Sequence, residues 1–478
     1  MRLNAFSGLV FLLAFTFIAR GQDSATIRKL LTGKLKDLER TRHFSGVVLV
    51  AKNGRPFFHK AYGYASREYK VLNTVNTKFN LASMNKMFTG LAIIQLYQAG
   101  RLSPDDIVGK YLPDLTNKTI RDSVTIHQLL THTSGVNNFW AEHANAAKEK
   151  IRTINDYLPL FINKPLAFPP GAGFLYSNGA YMLLGLIIEA VSGQSYDNYI
   201  RDHIFLPARM TSTGAYALDE VTEGLATGYT MNPEQPGTWK NNTWQNVIKG
   251  TPAGGGYSTA ADLLKFANAL QQHRFLNKGY TEIYTHGRVR YGKGLYGYGM
   301  SRDSVNGHVI IGHTGGHYGI ANELMIYEDL GYTVVILTNG EVENYWEISN
   351  TLKNLLAGPS ASTEGYFFTT RLVNTIREKG LQQALDEYKL KPAGIQLSES
   401  VIERSGAGEL FNKQFDKAIA IFTFWITCFP HSANGYYNLA EAYRLTGNTF
   451  LAIENYKRYL EKEPEDTDVR GKMERLRL

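Results

Sequence analysis

Between Ile27 and Leu38, apolar side chains fall at positions 27, 30, 31, 35 and 38, the spacing of one helix face, which predicts an amphipathic helix. The period then changes. Residues 45–51 form an apolar run, Asn53-Gly54 is the pair favoured in a two-residue type I′ turn, and residues 56–64 return, so a β-hairpin is expected. A long helix is predicted over residues 87–99, with Ser83 at its start and Gly100 closing it. Helical spacing recurs at 183–191 and 260–270. Residues 307–311, 322–327 and 332–338 read as three strands, the last two joined through Glu328-Asp329-Leu330-Gly331. Strands at both ends of a helical middle predict an α+β domain: one mixed sheet built from both ends, flanked by helices, with a helical lobe inserted.

The stretch Ala357-Gly358-Pro359-Ser360-Ala361-Ser362-Thr363-Glu364-Gly365 is small, polar and marked by Pro and Gly, so residues 358–365 are expected to link two domains, 22–357 and 366–478. Beyond it, Ala418, Phe422, Trp425 and Pro430 recur 34 residues later as Ala452, Tyr456, Tyr459 and Pro464. The pattern resembles the tetratricopeptide repeat, in which helix pairs stack to bury a shared face. It implies a small all-α domain able to contact a protein partner through residues 396–478. Ser405-Gly406-Ala407-Gly408 weakens the leading helix of the first copy. Residues 366–390 and the basic C-terminal tail, or the preceding domain, are expected to cap the pair, and Trp425 and Cys428 to belong to its core.

Met1-Arg2, an apolar run from Leu9 to Ala19 and small residues at Ala19 and Gly21 read as a signal peptide cut near Gly21, which implies a secreted or periplasmic protein. No later segment is apolar enough to span a membrane. Of 478 residues 44% are hydrophobic and 20% charged, enough for a large core in more than one domain. Cys428 is the single cysteine, so no intramolecular disulfide can form. The formal charge of +8, two of it on Arg2 and Arg20, is spread rather than clustered, which argues against nucleic acid as a partner. The twelve histidines include no H-E-x-x-H pair; His127 and His132, flanking Leu129-Leu130, read as core or capping groups. Neither a metal nor a cofactor is expected.

Candidate chemistry sits in three strings. Ser83-Met84-Asn85-Lys86 holds the sole S-x-x-K of the chain. One helical turn places the lysine on the serine's face, and burial lowers a lysine pKa far enough for it to take the hydroxyl proton. The helix N-terminus adds N–H groups beside a developing oxyanion. Tyr176-Ser177-Asn178 shares its Y-x-N form with Tyr196-Asp197-Asn198 and Tyr436-Tyr437-Asn438, but it alone follows Pro169-Pro170-Gly171 and lies between the other two strings. There Tyr176 would pass the proton to the leaving group, and Asn178 would hold the lysine and the substrate carbonyl. The third string is His313-Thr314-Gly315-Gly316.

Together Ser83-x-x-Lys86, Tyr176-x-Asn178 and His313-Thr314-Gly315 resemble the motifs of the penicillin-recognising serine hydrolases, specifically class C β-lactamases and their peptidase and esterase relatives, over about residues 25–357. Leu129-Leu130-Thr131-His132-Thr133-Ser134-Gly135 and the run from Gly254 to Leu263 support it. The resemblance implies a β-lactamase/transpeptidase-like fold, a small-molecule or peptide-like substrate, and an acyl-Ser83 intermediate. It also implies an oxyanion hole from the backbone N–H groups of Ser83 and Gly316, and a 313–316 strand that pairs with an extended substrate. His313 stands where a β-lactamase usually carries lysine, which favours esterase, D-peptidase or D-aminopeptidase-like chemistry; His317 would restore charge there if no bulge intervenes at Gly315-Gly316. A true class C β-lactamase and a catalytically silent cell-wall or partner-binding protein are the alternatives. Gly254-Gly255-Gly256 is expected to let backbone approach the cleft, and Asn137, Phe139 and Trp140 to form an aromatic surface loop packed on the lobe.

Overall fold

Helix α1 (Ser24–Arg42) begins at Asp23, whose carboxylate accepts the N–H groups of Ala25 and Thr26 at 2.8 and 2.9 Å, satisfying two of the donors a helix start leaves open. The computed structural model describes residues 23–476 apart from 233, 236, 237 and 341. Residues 1–21, read as a signal peptide, lie outside the described residues. Ile27, Leu31, Leu35 and Leu38 form the buried stripe of α1, while Leu30 is exposed. Strands β1 (Gly46–Lys52) and β2 (Arg55–Tyr62) make the expected hairpin. Asn53 and Gly54 both have positive φ, 50° and 74°, as a type I′ turn requires.

The middle of the region is helical, with α2 (Asn85–Gln98), α3 (Asn178–Ser192) and α4 (Ala260–Gln271) its longest members. Six strands follow: β3 (Val289–Tyr291), β4 (Gly294–Tyr296), β5 (Ser301–Val305), β6 (His308–His317), β7 (Ile320–Tyr327) and β8 (Tyr332–Thr338). The expected sheet from both ends of the region is present, in the order β2-β1-β8-β7-β6-β5-β4-β3, and every neighbouring pair in it runs antiparallel. Gly46, near the start, therefore lies opposite Thr338, near the end. Side chains alternate across the sheet. Val47, Leu49, Leu324, Ile326, Val335 and Leu337 join α2 and α4 on one face; Val48, Val50, Met325, Val334 and Ile336 join α1 on the other. With both faces covered, β7 and β8 are buried along their whole length and carry mostly apolar residues. Short, half-exposed β3, β4 and β5 carry no such run, which is why the sequence reading missed them.

Helix α5 (Val342–Ala357) packs on the α1 face through Tyr345, Ile348 and Leu352. Only Gly358-Pro359-Ser360 then connects it to α6 (Ala361–Lys379), because Ser360 caps that helix by accepting the Thr363 N–H at 3.1 Å. The expected linker is thus helix from Ala361 onward. The Asn306 amide nitrogen ties the connection down, lying 2.9, 3.0 and 2.8 Å from the carbonyl oxygens of Ala357, Gly358 and Pro359.

An all-α region follows: α7 (Leu381–Lys389), α8 (Glu399–Phe411), α9 (Phe415–Cys428), α10 (Ala433–Leu445), α11 (Thr449–Leu460) and α12 (Thr467–Arg475). The glycines of 405–408 do not break α8. A Cβ on Gly406 would come within 2.3 Å of the Phe422 ring, so the small residue lets α9 pack closely. Ala418, Phe422 and Trp425 are buried along α9, as Ala452 and Tyr456 are along α11. Trp346 of α5 packs against both the sheet's α1 face and this region's core, with the Arg404 guanidinium 4.5 Å over its ring. Among the described residues no helix is long and apolar enough to cross a membrane, and no cluster of His, Cys, Asp or Glu is placed to hold a metal ion.

Candidate active site

Ser83 occupies a single 3₁₀ turn, Ala82–Met84, that leads into α2. Ala82 is left-handed at φ 45°, costly for a residue with a Cβ, and three contacts hold it there. Its N–H donates to Asn80 Oδ1 at 2.9 Å, its carbonyl accepts the Gly255 N–H at 3.3 Å, and the Leu81 N–H beside it donates to the Gly256 carbonyl at 2.7 Å. The glycines of 254–256 therefore do bring backbone against the cleft. A Cβ on Gly254 would lie 2.8 Å from the Ala82 carbonyl oxygen. Gly315 of β6 is equally constrained, since a Cβ there would lie 2.1 Å from the Leu81 carbonyl oxygen.

Lys86 is fully buried, and its Nζ lies 3.2 Å from Ser83 Oγ, 2.7 Å from Asn178 Oδ1 and 2.6 Å from the Ala253 carbonyl oxygen. Among the described residues no carboxylate is paired with it, and burial holds its pKa well below 10.5. A neutral amine has two N–H donors and one lone pair. The carbonyl of Ala253 and Oδ1 of Asn178 can only accept, so they take both N–H groups and the lone pair is left toward Ser83 Oγ.

The Asn178 amide is oriented by Asn138, which the sequence reading did not single out. Asn138 Nδ2 donates to the Tyr176 carbonyl at 2.9 Å, so its Oδ1 must face the other way. There it accepts the Asn178 N–H at 2.7 Å and Asn178 Nδ2 at 3.0 Å, leaving Asn178 Oδ1 to Lys86. Nothing local in the sequence marks Asn138, because its partners lie 40 and 38 residues away.

Tyr176 packs on His132 with ring centroids 4.2 Å apart and planes tilted by 38°. Burial raises its phenol pKa well above 10, the hydrogen bond with Ser83 opposing that rise, so the phenol stays protonated. His132 is fully buried and left-handed at φ 61°. Its Nδ1 accepts the Ser177 N–H at 3.1 Å, fixing the proton on Nε2. Burial first, then the neighbouring Lys86, pushes its pKa well down. The expected core and capping roles are both present: His132 is buried and is the left-handed residue that closes the helix Ile126–Leu130. Its N–H donates to the Leu129 carbonyl at 3.4 Å and the Thr133 N–H to the Gln128 carbonyl at 2.9 Å, while its ring also forms the platform under Tyr176.

His313 is buried and neutral, its pKa lowered to about 3 by burial and then by Lys86. Its Nδ1 faces the Thr314 carbonyl, which can only accept, so Nε2 accepts from the Tyr296 hydroxyl at 3.0 Å. Tyr296 lies on β4, one of the strands without a sequence signature. His317, expected to restore positive charge, is half-buried with its pKa lowered by burial, and corrects that expectation.

Strand β5 covers β6 only as far as Gly312, leaving 313–317 without a strand neighbour on that edge. The Gly312 carbonyl points to this edge, accepting from Ser301 Oγ at 3.0 Å, and alternation gives the backbones of Thr314 and Gly316 the same direction. Opposite Gly316, Ala321 turns its N–H away to Thr338 Oγ1 at 3.0 Å, so the Gly316 N–H is left to the cleft. Ser83, Asn178 and Gly316 line one cavity together, whereas the exposed Thr314 borders a separate hollow with Glu323 and Tyr345. Phe139 and Trp140 line the Ser83 cavity as well, rather than forming a loop packed only on the lobe. Asn137 does not; its amide donates to the Pro165 carbonyl at 2.5 Å.

Residues 25–357 match the family described as Beta-lactamase. The chain belongs to the β-lactamase family. It is a serine hydrolase of the group that includes penicillin-binding proteins. A penicillin-binding protein of Bacillus subtilis is 32% identical over 335 residues, covering 67% of this chain and 73% of the relative. The crystal structure of a penicillin-binding protein from Bacillus halodurans aligns with TM-score 0.62 at 32% identity, over 67% of this chain and 98% of that one. A D-amino acid amidase from Ochrobactrum anthropi shares the β-lactamase-like fold at 21% identity, TM-score 0.59, over 70% of this chain and 98% of the amidase.

Proposed function

We propose that the protein is an exported hydrolase that opens an ester or peptide-like amide through an acyl-Ser83 intermediate. Ser83 Oγ attacks the carbonyl carbon as its proton passes to Lys86 Nζ. The N–H groups of Ser83 and Gly316 stabilise the tetrahedral oxyanion. Collapse expels the leaving group, to which Tyr176 passes the proton, and water then attacks the acyl-enzyme by the reverse relay. What carries this reading is the hydrogen-bond accounting at Lys86, which leaves a base lone pair toward Ser83 Oγ at 3.2 Å.

Neutral, locked His313 favours ester or amide chemistry over a dedicated β-lactamase, since no permanent cation stands in the third motif to hold a substrate carboxylate. The fold shared with the D-amino acid amidase supports opening of an amide as well as an ester. The repeated positions on α9 and α11 support a tetratricopeptide-like module for protein contact through residues 396–478.

The test is intact-protein mass spectrometry after exposure to a fluorescent penicillin and to an activated short-chain ester. The wild type is expected to carry an acyl adduct on Ser83, while Ser83→Ala carries none and loses roughly 10⁴-fold or more in turnover. An unchanged rate in Ser83→Ala would refute the mechanism. Because the acceptor must be neutral and burial depresses the Lys86 pKa, acylation is expected to fall as pH drops through that lowered value and to level off above it.

A further inference from the structure

Building on the acyl-Ser83 reading, we propose that the substrate is uncharged on both sides of the reacting bond and lays a flat apolar group against Trp140 and His317. The cavity over Ser83 is small, about 40 Å³, and among the described residues no Asp, Glu, Lys or Arg lines it. A carboxylate or ammonium entering it would shed water and meet no opposite charge in that lining. The nearby lysines stand outside it. Lys86 is spent on Ser83, Asn178 and the Ala253 carbonyl. Lys148, whose charge bears on His317, turns its ammonium to the Trp244 carbonyl and does not line the cavity.

Neither His317 in that lining nor His313 beside it adds charge. His313 is held between Tyr296 and the Thr314 carbonyl. His317 Nε2 lies 2.9 Å from the Gln245 carbonyl, an acceptor only, so Nε2 carries the proton and a neutral ring leaves Nδ1 as an acceptor.

The wall itself is aromatic. The His317 ring stacks on Trp140 with centroids 5.2 Å apart and planes 24° apart, and Phe139 packs behind Trp140 at 5.0 Å. A planar acyl or side group continues that stack, which favours aromatic over short aliphatic acyl chains. The free β6 edge beside it offers the backbone of Gly316 to the neutral amide or ester of the substrate.

The experiment uses the full chain and a matched ester set: phenylacetyl and acetyl esters whose leaving phenol carries either a 3-carboxylate or its methyl ester, and phenylglycyl esters with the amine free or acetylated. The neutral member of each pair is expected to exceed the charged one on the order of 10²-fold in kcat/KM. Trp140→Ala is expected to raise KM about tenfold for phenylacetyl but not acetyl esters, with kcat little changed. His317→Lys is expected to raise kcat/KM for the carboxylate esters and narrow the ratio. Charged and neutral esters turned over alike, or Trp140→Ala weakening both acyl groups equally, would overturn the proposal while leaving acyl-Ser83 chemistry standing. Turnover that survives in Ser83→Ala, or no turnover of any ester by folded wild type, would overturn the hydrolase reading and the proposal together.

Discussion

From Ser24 to Ala357 the protein is held by partners far apart in the chain, whereas from Ala361 onward the helices pack on others close by in the sequence. β1 pairs with β8, and Lys86 takes its acceptors from residues 92 and 167 positions away. The C-terminal helices pack as neighbours, α8 on α9 and α10 on α11, around smaller cores. The contrast separates two uses of burial. Keeping a lysine neutral inside a protein takes complete removal of water and fixed acceptors from several elements at once, which only long-range closure supplies. Helices joined by nearest-neighbour contacts can open locally without disturbing the rest.

The largest expected effect comes from breaking the closure of the first region. Gly315→Val would drive a side chain into the Leu81 carbonyl, parting β6 from the Ser83 turn. It is expected to cost about 3 kcal/mol in urea melts and more than ~10²-fold in ester hydrolysis; normal values for both would show that the strand and the turn are not interlocked. Next, Asn138→Ala releases the Asn178 amide. Here kcat/KM is expected to fall on the order of 10²-fold with little change in thermal stability; an unaltered rate would mean Asn178 holds its own orientation.

Two smaller effects probe the second region. A chain ending at Ala357 is expected to keep ester hydrolysis near the full-length rate while losing about 1–3 kcal/mol as Trp346 becomes exposed. Insolubility of that fragment would make the two regions one folding unit. Arg404→Ala removes the cation over Trp346 and is expected to cost about 1 kcal/mol in urea melts. If instead activity falls with it, the helices bear on the catalytic centre.

Legibility followed the same division. The hairpin, α1, α2, β7 and β8 were readable because apolar period and turn residues are local signals. β3 to β5 were not, and with them went Tyr296, the partner of His313. The linker was drawn too long because Ala361-Ser362-Thr363 reads as loop in isolation, while Ser360 in fact starts a helix whose stability comes from packing. Asn138, Ala253 and the platform role of His132 carried no signal, since each acts on atoms contributed by other segments.

The sequence by itself determined the candidate groups for the proposed reaction: a serine and a lysine one helical turn apart, a tyrosine and asparagine later, a histidine-led strand last, since covalent spacing fixes which side chains can share a helix face. Only the tertiary structure decided the charge each carries. Lys86, His313 and His317 all have pKa values lowered by burial among distant neighbours. The charge of an ionisable group depends on the water and partners around it, and in this chain those come from elements far apart in the sequence.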